Sequence, residues 1–175
     1  MFLIIFFVGI WSASNIKLIF ISTILFTAGL FMNMLAMSSF ENDFKITERI
    51  IYCLNTLVFI YINFKLLFRN QEFNFNRVLG AVNVYFLIAL LGAFLFELIH
   101  LLFGNSLIGD VNITGSNKDF ADYIYFSFVS LTTLGIGDIV PANQAARMLS
   151  VFLSTIGILF PAVVIARLVS LNNKK

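Results

Sequence analysis

The strongest constraint on this chain is the length of its uncharged apolar runs. Leu18 to Phe40 gives 23 residues without a charge, and Val78 to Phe96 gives another such run, with apolar character continuing past Glu97 and His100 to Phe103. A helix crosses the hydrocarbon core of a bilayer with about 17–25 mostly apolar residues, so each run predicts a spanning helix. Ile50 to Phe68 predicts a further one, with Lys65 near enough to its end to reach the headgroups. Met148 to Ala166 predicts a fourth, closed by Arg167 and the polar tail Asn172-Asn173-Lys174-Lys175. Composition agrees: 60% of residues are hydrophobic and 11% charged, where soluble domains are about half apolar and a quarter charged. A chain of 19.7 kDa with mean hydropathy +0.97 cannot hide that surplus inside itself. The expected fold class is an all-α integral membrane protein.

Several chemistries are excluded at once. A net charge of +2 without a basic patch points to no nucleic-acid partner. Cys53 is the one cysteine, in an apolar run, so neither a disulfide framework nor a multi-cysteine metal site is expected, and its thiol should be buried and inert. His100 has no second histidine to share a metal. No nucleophile and base stand together at membrane depth, so the chain is not expected to be an enzyme, and no cofactor is expected.

Residues 1–13 fit three readings: a thin span, an interfacial segment, or a signal peptide ending near Ser12-Ala13-Ser14. The absence of Lys or Arg before the apolar stretch argues against the last. Lysine and arginine set the orientation. Lys65, Arg69 and Arg77 flank one linker, and Arg167, Lys174 and Lys175 follow the last span, whereas the segment at 104–122 is net acidic. A multi-pass protein of the cell membrane with a cytoplasmic C-terminus is therefore expected. The balanced stretch Glu41, Asp43, Lys45, Glu48 and Arg49 reads as a loop.

Between the third and fourth spans, residues 104–147 open polar and turn apolar from Tyr123 to Gly137. That uncharged stretch is too short to cross comfortably. A short helix followed by a glycine-containing loop reads instead as a re-entrant segment, and non-helical backbone at membrane depth survives only where protein or a water-filled path solvates it. Ser116 to Asp119 fits a capping box for the short helix, with Asp122 in its first turn. The loop that follows is Thr132-Thr133-Leu134-Gly135-Ile136-Gly137-Asp138, with Pro141 three residues on. Its alternate glycines permit backbone angles at which successive carbonyls turn the same way. Carbonyls of Thr133, Leu134, Gly135 and Ile136, with the Thr133 hydroxyl, would then make stacked oxygen rings able to replace the hydration shell of a potassium ion. Leu134 and Ile136 would point outward into packing. One chain supplies one segment, so a closed ring needs four chains: a homotetramer.

At these residues the sequence resembles the potassium channel superfamily, from an outer helix at 78–103 through the short helix and loop to an inner helix at 148–170. Small bacterial ion channels with extra helices before the pore are the nearest likeness. The resemblance implies a division into N-terminal transmembrane helices, two or three in number, at 1–72 and an ion-conducting pore domain at 73–175. It implies a selectivity filter at Thr132 to Asp138, K+ bound at Thr133, Leu134, Gly135 and Ile136, and support from Tyr125, Phe126 and Val129. It also places a hinge of the inner helix at Gly157, reinforced by Pro161; the alternative for Gly157 is close helix packing. The family usually has Tyr or Phe where this chain has Ile136, and some members carry a buried Glu where Val129 stands. Ile136 can pack on Tyr125 and Phe126 but cannot hydrogen-bond, and Tyr125 is expected to donate to Asp138. A potassium-selective channel is the leading expectation. A weakly selective monovalent cation channel and a non-conducting modifying subunit are the alternatives. Arg49, Lys65, Arg69 and Arg77 lack the spacing of a voltage sensor and read as topology anchors. Glu97 and His100 read as a solvated interfacial pair, and Arg147 as the partner of an acidic loop residue.

Overall fold

The computed structural model describes residues 43–68, 75–109 and 119–172. The run 18–40, residues 1–13 and the polar segment at 110–118 lie outside the described residues. Helix α1 spans Asp43–Phe68 and α2 spans Phe75–Phe103. A three-residue strand β1, Leu107–Gly109, precedes the short helix α3, Phe120–Leu131. Strand β2, Ile139–Pro141, follows, and α4 runs from Gln144 to Asn172. Helices α2 and α4 are long and apolar enough to cross a membrane, and the chain is an all-α membrane protein.

Helix α1 starts earlier than the charge pattern predicts. The stretch 43–49, read as a loop, is helical. Glu48 and Arg49 are buried, and Arg49 Nε lies 2.7 Å from Glu97 Oε2 on α2. Arg49 thus belongs to an interhelical ion pair, and Glu97 is partnered across the seam and not toward solvent. Charges at a span's end read as loop because burying one alone is prohibitive; the partner lies 48 residues away (97 − 49) and leaves no local signal.

The two helices pair antiparallel along one seam. Arg49 meets Glu97, the ring of Tyr52 stacks on Phe94 at 5.6 Å, and Asn83 Nδ2 donates to Asn63 Oδ1 at 3.3 Å. Arg49 to Asn63 and Glu97 to Asn83 are equal steps in opposite directions (63 − 49 and 97 − 83), so all three pairs share one register. The steps of three and four from Arg49 through Tyr52, Thr56 and Phe59 to Asn63 follow the heptad spacing that keeps one stripe on the partner. Thr56 and Phe59 on α1, with Leu87 and Leu90 on α2, are buried between the two polar ends. The opposite stripe of α1, Ile50, Leu54, Leu57, Tyr61 and Phe64, is exposed.

Helix α3 lies between α2 and α4. Phe126 packs edge-on against Phe96 at 5.0 Å, Phe120 against Phe94 at 5.1 Å and Phe128 against Phe86 at 5.7 Å. Ala89 and Ala93 keep α2 thin at this crossing, so that the Ser127 hydroxyl reaches the Ala89 carbonyl at 2.6 Å. The main core gathers Phe96, Tyr123, Phe126, Leu131, Leu153 and Ile139 from all these elements.

Candidate functional site

The site begins with the end of α3. A helix leaves its last four carbonyls without intrahelical partners, and a buried acceptor left bare costs about 1–3 kcal/mol. Here each of the four is claimed. The Phe128 carbonyl accepts the Thr132 amide at 2.8 Å and the Thr132 hydroxyl at 2.6 Å. That of Val129 accepts the Leu134 amide at 3.1 Å. The Ser130 carbonyl takes the Thr133 amide at 3.1 Å and the Ser154 hydroxyl of α4 at 2.8 Å. The Leu131 carbonyl takes the Tyr85 hydroxyl of α2 at 3.3 Å. The loop is folded onto the helix by its own first amides, and each flanking helix adds one donor, α4 to the Ser130 carbonyl and α2 to that of Leu131.

From that anchor the backbone alternates. Thr132, the C-cap, has φ −80°. Thr133 has φ 58°, Gly135 58° and Gly137 85°, while Leu134 and Ile136 stay in the ordinary negative range. Alternating signs turn successive carbonyls to one side of the strand, which is what a line of oxygen rings requires. Glycine reaches positive φ without penalty. Thr133 does so as a β-branched residue, at a cost of about 1–2 kcal/mol, held there by its amide bond to Ser130. Thr132 belongs to the helix cap, its hydroxyl turned back to Phe128. All seven residues of 132–138 are exposed in the single chain, Leu134 at 66% and Ile136 at 59%.

Asp138 closes the loop. The Tyr125 hydroxyl donates to Asp138 Oδ2 at 2.6 Å, and the Ile139 amide donates to Oδ1 at 2.9 Å. The expected Tyr125–Asp138 bond is therefore present, and the tyrosine hydroxyl holds the Asp138 carboxyl below the usual carboxylate range. Val129 is buried, as is Phe126, which is spent on Phe96. Ile136 is outside that core, so its expected packing on Phe126 is not supplied by one chain. Beyond Asp138, β2 pairs antiparallel with β1, Gly109 opposite Ile139 and Leu107 opposite Pro141. This ribbon ties the segment before α3 to the loop's exit.

The starts of α3 and α4 each correct a local expectation. Asp119 is the N-cap with no side-chain cap bond, so the helix starts three residues later than a capping box at Ser116 to Asp119 requires. Phe120, its first residue, packs on Phe94. Asn143, unremarked in the sequence, caps α4 through its Oδ1 and the Ala146 amide at 2.8 Å. The Arg147 Nε reaches the Pro141 carbonyl at 3.5 Å in place of an acidic side chain.

On α4 the helix runs unbroken through Gly157 and Pro161. A Cβ on Gly157 would collide with the Leu131 carbonyl, so this glycine is where the inner helix touches the end of α3. Pro161 has no N–H to give the carbonyl four residues back, which is that of Gly157. Ser150 and Ser130 share a hydroxyl bond at 3.0 Å one turn above Ser154. These serines were missed because a hydroxyl in an apolar run carries no positional signal until its partner carbonyl is known.

Known proteins carry related segments. Over 85 residues the chain is 38% identical to the two pore potassium channel c of Oryza sativa subsp. japonica, covering 46% of this chain and 19% of that protein. It is 39% identical over 51 residues to the two-pore potassium channel 4 of Arabidopsis thaliana, covering 29% of this chain and 18% of that protein. A 35-residue match to potassium channel K2 of Plasmodium berghei is 44% identical, with 20% and 2% of the two chains covered. The chain thus spans about a fifth or less of the length of these relatives. No solved structure matches. Residues 84–174, from within α2 through the loop to the end of α4, match the family described as ion channel. With more than half its length on that family's pattern, this chain belongs to the ion channel family, in the potassium channel superfamily.

Proposed function

We propose that four copies of this chain surround a pore and conduct K+ down its gradient through Thr132 to Asp138. The observation that carries this reading is the alternation of φ from Thr133 to Gly137 on a helix end whose carbonyls are all taken. Carbonyls of Thr133, Leu134, Gly135 and Ile136, with the Thr133 hydroxyl, replace the ion's water. Thr132 fixes the inner end of the line and Asp138 the outer. The C-terminal end of α3 contributes the negative end of its dipole toward the axis. Potassium as the ion is supported by the names of the relatives. The exposure of Leu134 and Ile136 supports packing that comes from neighbouring copies. In this reading the C-terminus is cytoplasmic, the polar segment before α3 is outside, and α4 bends at Gly157 and Pro161, where one backbone hydrogen bond is missing.

A second reading keeps the pore and relaxes its selectivity, because Ile136 offers no hydroxyl to brace the rings and Phe126 is turned toward α2. One measurement separates the two. Purified chain in a planar bilayer, with potassium on one side and sodium on the other, is expected to reverse near the potassium equilibrium potential. Reversal near zero with robust current selects the weakly selective channel. A well-assembled protein carrying no current under any condition argues for the non-conducting subunit.

A further inference from the structure

The charged end of the α1–α2 seam lies outside the conduction loop and yet touches the helix that carries it. Arg49 Nε is 2.7 Å from Glu97 Oε2, and its Nη1 is 3.3 Å from Glu48 Oε1. The Arg49 and Glu97 side chains keep only 11% and 13% of their surface. Charges buried at the membrane boundary cost free energy that hydrophobic packing of the same volume avoids, so their position calls for a reason beyond holding two helices together. The guanidinium carbon sits 5.8 Å from the ring centroids of both Tyr52 and Phe120, within the range of a cation–π contact. Tyr52 belongs to α1, but Phe120 is the first residue of α3, and its ring leans on Phe94 as well. The N-terminal end of α3 therefore rests on a seat built from Arg49 and Phe94. Its other end is bonded to the loop through Phe128, Val129 and Ser130.

A 12-residue helix is a stiff rod of about 18 Å, so lifting one end moves the other. We propose that Arg49, fixed by Glu97, is a positioning residue for conduction: through Phe120 it sets the tilt of α3 and so the spacing of the carbonyls at 133–137. The inference rests on the channel reading of that loop. It also assigns α1 to the working pore unit, although the resemblance places the pore's beginning after it.

The seam supplies its own control. Asn63 and Asn83 hold the same two helices in the same register at the far end, and among the described residues their bonds run only between α1 and α2 or back into α1. Full-length chain is reconstituted, and relative permeabilities to K+, Rb+ and Na+ are measured from reversal potentials, which do not depend on how many channels are active. Arg49→Met is expected to change the permeability ratios by about tenfold, the scale of coupling through a packed network. Arg49→Lys, which keeps the charge, should recover most of that change, and Asn63→Leu should lower yield while leaving the ratios as in the wild type. Ratios unchanged in Arg49→Met, or changed as much in Asn63→Leu, would overturn the proposal. Should Arg49→Met not assemble, Phe120→Leu is measured in the same way: unchanged ratios there overturn the proposal, and altered ratios support it. Absence of current from the wild type is a different result, because it removes the channel reading itself.

Discussion

Tyr125 gives its phenolic proton to one oxygen of Asp138, and the other oxygen takes the Ile139 amide, so this carboxylate is occupied on both sides while standing in the open. The tyrosine bond lowers the Asp138 pKa in the folded chain. Its contribution is therefore complete above the ordinary aspartate value of about 3.9 and is lost only as the pH falls through the depressed one. Acidifying the outer side to about pH 3.9 should leave the decay of current unchanged. Tyr125→Phe should move the onset of acid-induced decay upward and shorten open periods roughly threefold at neutral pH, as losing one hydrogen bond implies. Single-channel recording at stepped outer pH measures both; equal onsets in the two proteins would remove the role given to this bond. Gly135 and Gly137 were legible as backbone devices because they alternate with bulky residues in a loop just after a short apolar helix. Thr133 was not legible in that sense. Nothing in a threonine announces a positive φ, and its strain is visible only once its amide is seen on the Ser130 carbonyl.

Among the elements, α4 has the tightest fit where it crosses the end of α3. Gly157→Ala places a methyl group against the Leu131 carbonyl, an overpacking worth about 1–3 kcal/mol. Its melting temperature in detergent should fall, and the Tyr85 bond to the same carbonyl should weaken with it. A stability equal to wild type would mean that α4 yields at this contact and that the fit does not require a glycine at 157. The long elements were readable in advance because α2 and α4 are held by composition alone. The start of α1 was not, since Glu48 and Arg49 look like a loop until Glu97 is placed beside them. Strands β1 and β2, three residues each, are too short to leave a periodicity, and only their pairing defines them. The aromatic spacing of α3 was visible as an apolar helix, but which rings face α2 is fixed by Ala89 and Ala93, on another element.

At the scale of the molecule, the chain is unequally covered. Within one copy, 39% of the apolar window of α2 is buried but only 11% of that of α4. Helix α4 is therefore left mostly uncovered by the described residues, and lipid or other copies can take that surface. If the proposed tetramer forms, polar substitution separates these, since a helix interface feels it and a lipid-facing stripe tolerates it better. Val151→Asn on α4 should shift the mass in mild detergent from four copies toward one. Leu57→Asn on the outer stripe of α1 should leave the tetramer intact. Light scattering with detergent correction reads the mass, and dissociation by Leu57→Asn alone would put the subunit contact on the wrong helix. The loop between these helices also has a stereochemical identity that follows from its dihedral angles. With φ positive at Thr133, Gly135 and Gly137 and negative between them, the strand is heterochiral: every second residue sits where the mirror-image amino acid belongs. A semisynthetic chain with D-alanine at position 137 should fold and conduct like the parent. L-alanine at the same place should meet the left-handed penalty of about 1–2 kcal/mol, repeated in every copy of the proposed pore, so in that reading one inverted carbon separates a working ring from a broken one.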